Sequence, residues 1–116
     1  MIFSFVEGIK ELDIQQIIYI ETQRHKNIFH TETQEYNLYK KLNEIEEILA
    51  PFAFVRAHQS FLVNMKYIDR ISSYVMYLTT GKEISVPKSR YQKVKKEFAE
   101  YLEGGRNHEN YHTDAK

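Results

Sequence analysis

The sequence has no cysteine, only two prolines and four glycines, and no net charge, because 16 Lys and Arg balance 16 Asp and Glu. Without cysteine there is no disulfide, thiolate zinc site, iron–sulfur cluster or cysteine nucleophile. That suits a reducing compartment, and a cytoplasmic location is expected. No apolar run approaches the about 20 residues that a membrane helix needs, so neither a membrane partner nor a signal peptide is expected. The glycines are dispersed apart from Gly104–Gly105, which excludes a glycine-rich phosphate loop. What remains is a chain of 116 residues, 42% hydrophobic and 28% charged, enough for one globular domain. Its net charge names no partner.

The cancellation hides an asymmetry. Residues 1–55 carry 5 Lys and Arg against 9 Asp and Glu, whereas residues 56–106 carry 10 against 5. The excess is densest from Lys82 to Lys96, where Lys82, Lys88, Arg90, Lys93, Lys95 and Lys96 face only Glu83. Nearby charge matters more than the total once salt screens the rest, so this stretch could hold a polyanion. A solvated helix face explains it equally simply.

Strand-forming residues dominate, with 12 Ile, 6 Val, 6 Thr, 9 Tyr and 7 Phe. Phe3–Glu7 alternates and Gly8 supplies a turn. Ile17–Glu21 and Ile28–Thr33 read as a hairpin whose loop carries Arg24, His25 and Lys26 outward. Leu38, Leu42, Ile45 and Leu49 recur at helical spacing, with Lys40 and Lys41 among the charges opposite, and Pro51 ends that helix. Short strands follow at Phe52–Ala57, Phe61–Asn64, Ile68–Ser72, Tyr74–Thr79 and Glu83–Val86, with Gly81 in the last hairpin turn. A final helix has Tyr91, Val94, Phe98, Tyr101 and Leu102 as its apolar stripe. Ser89 stands at its N-cap with Gln92 three residues on, a capping-box pattern. Gly104–Gly105 ends it. The fold class is mainly β, with two amphipathic helices.

Catalytic chemistry is sparse. His58 and Ser60 share a strand face, but nothing around them activates a nucleophile, and a hydrogen-bonded turn explains them. His108 and His112 have a spacing that a metal could use on a helix, but their tail is a poor helix former. Neither an enzyme nor a cofactor nor a bound metal is expected.

The segment Phe54 to Asn64 is different. It sets Arg56, His58, Gln59, Ser60 and Asn64 among β-forming apolar residues, and such polar groups must bond internally or face a partner. It resembles the signature of the LytTR family, the DNA-binding output domain of bacterial response regulators: an aromatic, a basic residue, His-x-Ser, then an aliphatic run ending Val-Asn. The likeness continues in Ile17–Glu21, in Leu42–Leu49, at Ile68 and Ile71, and in Ser89-Arg90-Tyr91. It spans nearly all of a domain placed at residues 1–103, with a flexible C-terminal tail at 104–116.

The resemblance implies an elongated arrangement of about ten short β-strands, and loops that enter successive major grooves of bent DNA. It implies sequence-specific binding to double-stranded promoter DNA in transcription regulation. It also implies a receiver domain in a longer parent chain and a dimer on paired repeat sites. Three contact regions carry over: Arg24, His25 and Lys26 in the early loop, Gln59 between His and Ser, and Arg90 at the Ser-Arg corner. Lys88, Ser89 and Lys93 flank Arg90 and suit phosphate. Arg56, His58, Ser60 and Asn64 read as internal scaffold residues. Gln59 stands where the family often has Arg, Lys or Asn, and Pro87-Lys88 replaces an aliphatic-Ser run. This chain is then an excised output domain or a stand-alone member. The rival reading is a β-rich protein-interaction module that binds no nucleic acid, served by the nine tyrosines.

Overall fold

Successive side chains of a strand point to opposite faces, and in the middle of this chain both faces are apolar: Tyr19, Ile20, Leu62 and Val63 are all buried. Such strands belong inside a sheet that is covered twice. The computed structural model describes residues 1–105. It begins with β1 (Ile2–Phe5), β2 (Gly8–Glu11), β3 (Tyr19–Gln23), β4 (Lys26–His30), β5 (Glu35–Leu38) and α1 (Leu42–Ile48). Then follow β6 (Phe54–His58), β7 (Phe61–Asn64), β8 (Ile68–Ser72), β9 (Val75–Leu78), β10 (Glu83–Ser85) and α2 (Lys88–Glu100).

The central sheet has the order β5-β4-β3-β7-β6 and every pairing in it is antiparallel. Alternation divides its residues between two cores. Ile20, Phe29 and Leu62 face one side, which the β1–β2 ribbon covers with Phe3 and Phe5 and α1 covers with Leu42, Ile45 and Leu49. Tyr19, Val55, Ala57 and Val63 face the other. There the three-stranded sheet β10-β9-β8 contributes Met76, Leu78 and Ile84, and α2 contributes Tyr91, Val94 and Phe98. Stacking layers along one axis gives an elongated body of 47 × 31 × 25 Å. The ten strands and two α-helices of the described residues match the expected class.

Several boundaries differ from the sequence reading, for physical reasons. The first helix starts at Leu42, because Leu38 is buried as the last residue of β5, paired with Asn27. A strand residue and a helix residue four positions apart can feed the same core, so the apolar spacing misleads there. β3 begins two residues later than expected. Ser89 is not the N-cap of α2: Pro87 takes that position with φ −59° and ψ 148°, and its carbonyl accepts from the Arg90 N–H at 2.9 Å. Proline's fixed φ already gives the extended entry that a serine would otherwise supply, so no capping box forms at Ser89. Leu102 is 40% exposed and drops out of the stripe, where a single π-helical turn, Tyr101–Gly105, follows α2. His108, His112 and the rest of the expected tail from Arg106 lie outside the described residues.

Candidate nucleic-acid interface

Register decides what the central sheet brings together. Leu38 of β5 pairs with Asn27 of β4, and Asn27 pairs with Thr22 of β3. The Thr22 N–H then donates to the Ser60 carbonyl at 2.9 Å. These four residues form a line across one end of the sheet. Just beyond it run three connections in a row: Tyr39 to Lys41, Arg24–His25, and Gln59–Ser60. With strands about 4.8 Å apart, the middle connection lies about 7 Å from the first and about 10 Å from the third.

Arg24 and His25 are the two loop residues of a tight hairpin, since Gln23 pairs with Lys26. Arg24 has φ +60°, a left-handed conformation that glycine adopts freely and that costs other residues of order 1 kcal/mol. A cation is therefore held where the backbone alone would prefer glycine. Both side chains are exposed, whereas Lys26 is half-buried at the start of β4.

Gln59 is exposed at the tip of the β6–β7 turn, and the turn is braced from beneath by Arg56. The Arg56 guanidinium donates to the His58 carbonyl at 3.0 Å and the Gln59 carbonyl at 2.5 Å. It also reaches α1, donating to Asn43 Oδ1 at 2.9 Å and Glu46 Oε1 at 2.7 Å. His58 Nδ1 accepts from the Ser60 N–H at 3.1 Å. A bulge between Arg56 and His58 bends the strand into this turn. The backbone of Gln59 is thus fixed while its amide is left to solvent.

Arg90 is half-buried in the first turn of α2, with Lys88 and Ser89 exposed beside it. α2 packs through Tyr91 and Val94 onto the face of β6 that carries Val55 and Ala57. The strand that delivers Gln59 therefore supports the helix that delivers Arg90. Tyr74 braces this corner, its ring 4.3 Å from that of Tyr91 and its carbonyl accepting from the Val86 N–H at 2.8 Å. The other lysines of the basic stretch are dispersed. Lys82 lies over the Tyr19 ring at 5.6 Å, Lys95 over Tyr91 at 4.7 Å, and at 100° per residue Lys93 and Lys96 point away from the buried stripe.

Residues 7–99 match the model of the LytTr DNA-binding domain. The chain belongs to the LytTr DNA-binding domain family. Among curated proteins it is 33% identical over 88 residues to the transcriptional regulatory protein LytR of Staphylococcus aureus (strain N315), a match covering 72% of this chain and 36% of that protein. It is 33% identical over 99 residues to the sensory transduction protein LytT of Bacillus subtilis (strain 168), covering 80% of this chain and 41% of the other. The chain thus spans well under half the length of these relatives. The fold is that of a solved LytTr DNA-binding domain of a Bacillus cereus response regulator, with a TM-score of 0.70 at 21% identity over 85% of this chain and 94% of that one.

In this LytTr domain Gln59 carries an amide of the kind that bonds adenine N6 and N7, and Arg90 carries a fork suited to guanine or phosphate. Two exposed residues at the sheet end were given no contact role from the sequence: Lys40 and Lys41. The helical reading absorbed the two lysines as a solvated face. The signal that could have found them is Asn27, a polar residue inside a strand, 2% exposed. It accepts from Thr22 Oγ1 at 2.6 Å, and its own amide donates to the Lys40 carbonyl. Among the described residues no group of three or more His, Asp or Glu side chains could hold a metal, and no helix is long and apolar enough to cross a membrane.

Proposed function

We propose that this LytTr domain binds duplex DNA sequence-specifically and forms the DNA-binding part of a transcriptional regulator, without catalysis and in the cytoplasm. The observation that carries the reading is the sheet end itself. Gln59 and the Arg24–His25 turn stand side by side on a braced backbone with their side chains offered outward, which suits base readout in a groove about 12 Å wide. His25, Gln59 and Arg90 are assigned to base edges, and Arg24, Lys26, Lys88, Ser89 and Lys93 to phosphates. The names of the curated relatives favour the same role, and their greater length favours a receiver domain elsewhere in a parent chain. Tethered pairs of the domain then read paired repeats about one helical turn apart. The domain is placed at residues 1–103.

Selection of bound sites from a random duplex library tests this directly. A defined motif should emerge, and binding to it should weaken steeply with salt, with log K falling about 4–5 units per log unit of salt if about five phosphates are neutralised. The rival protein-interaction module is favoured by one feature, the β1–β2 ribbon, where Ile2 and Ile9 are 66% and 78% exposed. No enriched motif together with a flat salt response would decide for the rival.

A further inference from the structure

The segment from Tyr39 to Lys41 has no part in the base and phosphate assignments, yet it forms one wall of a cleft of about 520 Å³ whose other wall is Arg24 and His25. Thr22 and Asn27 line the same cleft. The segment leaves β5 beside β4, and the amide of buried Asn27 holds the Lys40 carbonyl, so its position is set by the sheet. Lys40 and Lys41 are exposed, and Tyr39 is 70% exposed. The single acid in the cleft lining is Glu44, whose Oε1 accepts from the Lys41 N–H at 3.2 Å and so caps the start of α1. Three cationic residues, Arg24, Lys40 and Lys41, therefore border one open cleft, with His25 beside them. The local balance is positive in the half of the chain whose sum is negative.

We propose that this cleft seats the phosphodiester backbone of the bound DNA, held between Arg24 and the Lys40–Lys41 pair. The proposal rests on the duplex-binding reading and adds a backbone-binding wall to it. The spacing favours this arrangement. Gln59 lies about 17 Å along the row from the end of β5, about 10 Å from the hairpin and 7 Å beyond. With Gln59 and His25 reading bases in the major groove, about 12 Å wide, the two lysines stand past its edge, where phosphates run. Lysine is a point charge on a long flexible stem, which suits a phosphate and carries no base information.

The test compares the whole chain with its Lys40→Gln/Lys41→Gln variant, on the selected site and on a scrambled duplex of equal length, across a salt series. The variant should melt like the parent, bind both duplexes more weakly by the same factor, and show a salt slope shallower by about one unit for each phosphate that is no longer neutralised. An unchanged slope in the variant, with a steep one in the parent, overturns the cleft assignment and leaves duplex binding intact. Weakening confined to the selected site also overturns it, since the lysines would then read bases. Failure of the parent to bind any duplex removes both readings. A second measurement needs no change in affinity. Because the chain has no cysteine, Lys40→Cys accepts a single DNA-cleaving iron chelate. Cuts confined to a few adjacent nucleotides of the complex support the seat, and cuts absent or spread along the duplex refute it.

Discussion

Two asparagines are the buried polar residues of the described core, both 2% exposed, and they sit at opposite ends of the same sheet. Asn64, at the end of β7, donates from its amide to the Ile17 carbonyl at 3.0 Å and accepts from the Lys66 N–H at 3.1 Å. Asn27, near the start of β4, holds Thr22 and the Lys40 carbonyl in the same manner. An unpaired amide in a core costs several kcal/mol, so each site ties two stretches of backbone together. What they tie differs. Beside Asn64 the chain closes on itself, with Met65 and Ile68 buried and the Tyr67 hydroxyl donating to the Gln15 carbonyl at 2.8 Å. Beside Asn27 it opens onto Arg24, His25, Lys40 and Lys41. The same local chemistry thus completes a scaffold at one end and presents a surface at the other.

The largest effect should come from the layer that both ends share. Phe29 is fully buried, with its ring edge-on to Phe3 and Phe5 at 5.2 and 5.1 Å. Phe29→Ala should lower the free energy of unfolding by about 3–5 kcal/mol. Amide exchange at Asn27 and Asn64 should accelerate together. Protection that disappears at one end only would mean that the two ends are separate units, and the comparison between them would lose its basis.

A smaller effect separates the ends. Asn27→Ala and Asn64→Ala each strand a buried partner, so each should cost about 1–3 kcal/mol. Measured where both are folded, only the Asn27 variant should bind duplex DNA more weakly, because only that tie positions a cationic connection. Equal weakening of binding in both would erase the functional half of the distinction.

Much of this scaffold is legible in the sequence. β7 and β8 fall at the residues that alternation and turn chemistry select, and Arg56, His58 and Asn64 form the internal bonds expected of polar groups in strands. The row at the sheet end is not legible in the same way. Leu38, Asn27, Thr22 and Ser60 come together through the register of three strand pairs, and local periodicity carries no record of which strands pair. For the same reason the sequence concentrates attention on Lys82–Lys96, although Lys82 lies before β10 and α2 spreads the later lysines around its axis. It passes over Lys40 and Lys41, which folding brings beside Arg24. Linear charge density is a poor guide when strand pairing sets the neighbours.

Substitutions on the exposed side sharpen this point at little cost in stability. Gln59→Ala and Arg90→Ala should leave stability within about 0.5 kcal/mol and each weaken binding to the selected site by about 1–3 kcal/mol, relaxing preference at one base pair. Arg24→Gly is the more pointed variant. Glycine relieves the φ of +60° but adds freedom to the unfolded chain, two terms of about 1 kcal/mol that oppose each other. Stability should therefore stay nearly level while duplex affinity falls. A variant that folds better and binds as well as the parent would show that the strained arginine serves no contact.

The smallest effect concerns a third tie, placed in solvent. The Glu7 carboxylate accepts from the Asn37 N–H at 2.8 Å and from the Asn37 amide at 2.5 Å, joining the β1–β2 turn to β5. These bonds, the backbone one foremost, hold its pKa below the ordinary 4.5, with Lys26 adding to the same direction. A carboxylate with a depressed folded pKa stabilises the protein above its unfolded value, and that contribution is lost as pH falls through the folded value. The melting temperature of the parent should therefore exceed that of Glu7→Gln by a constant margin near neutrality, and the margin should shrink below about pH 4.5. Because Glu7 is exposed, water already solvates its charge, so the margin should be smaller than either asparagine effect. A margin that stays constant down to about pH 3 would mean that the bonds from Asn37 do not distinguish the charged carboxylate from its protonated form. The tie would then act through shape alone, unlike the buried ties at the two ends of the sheet.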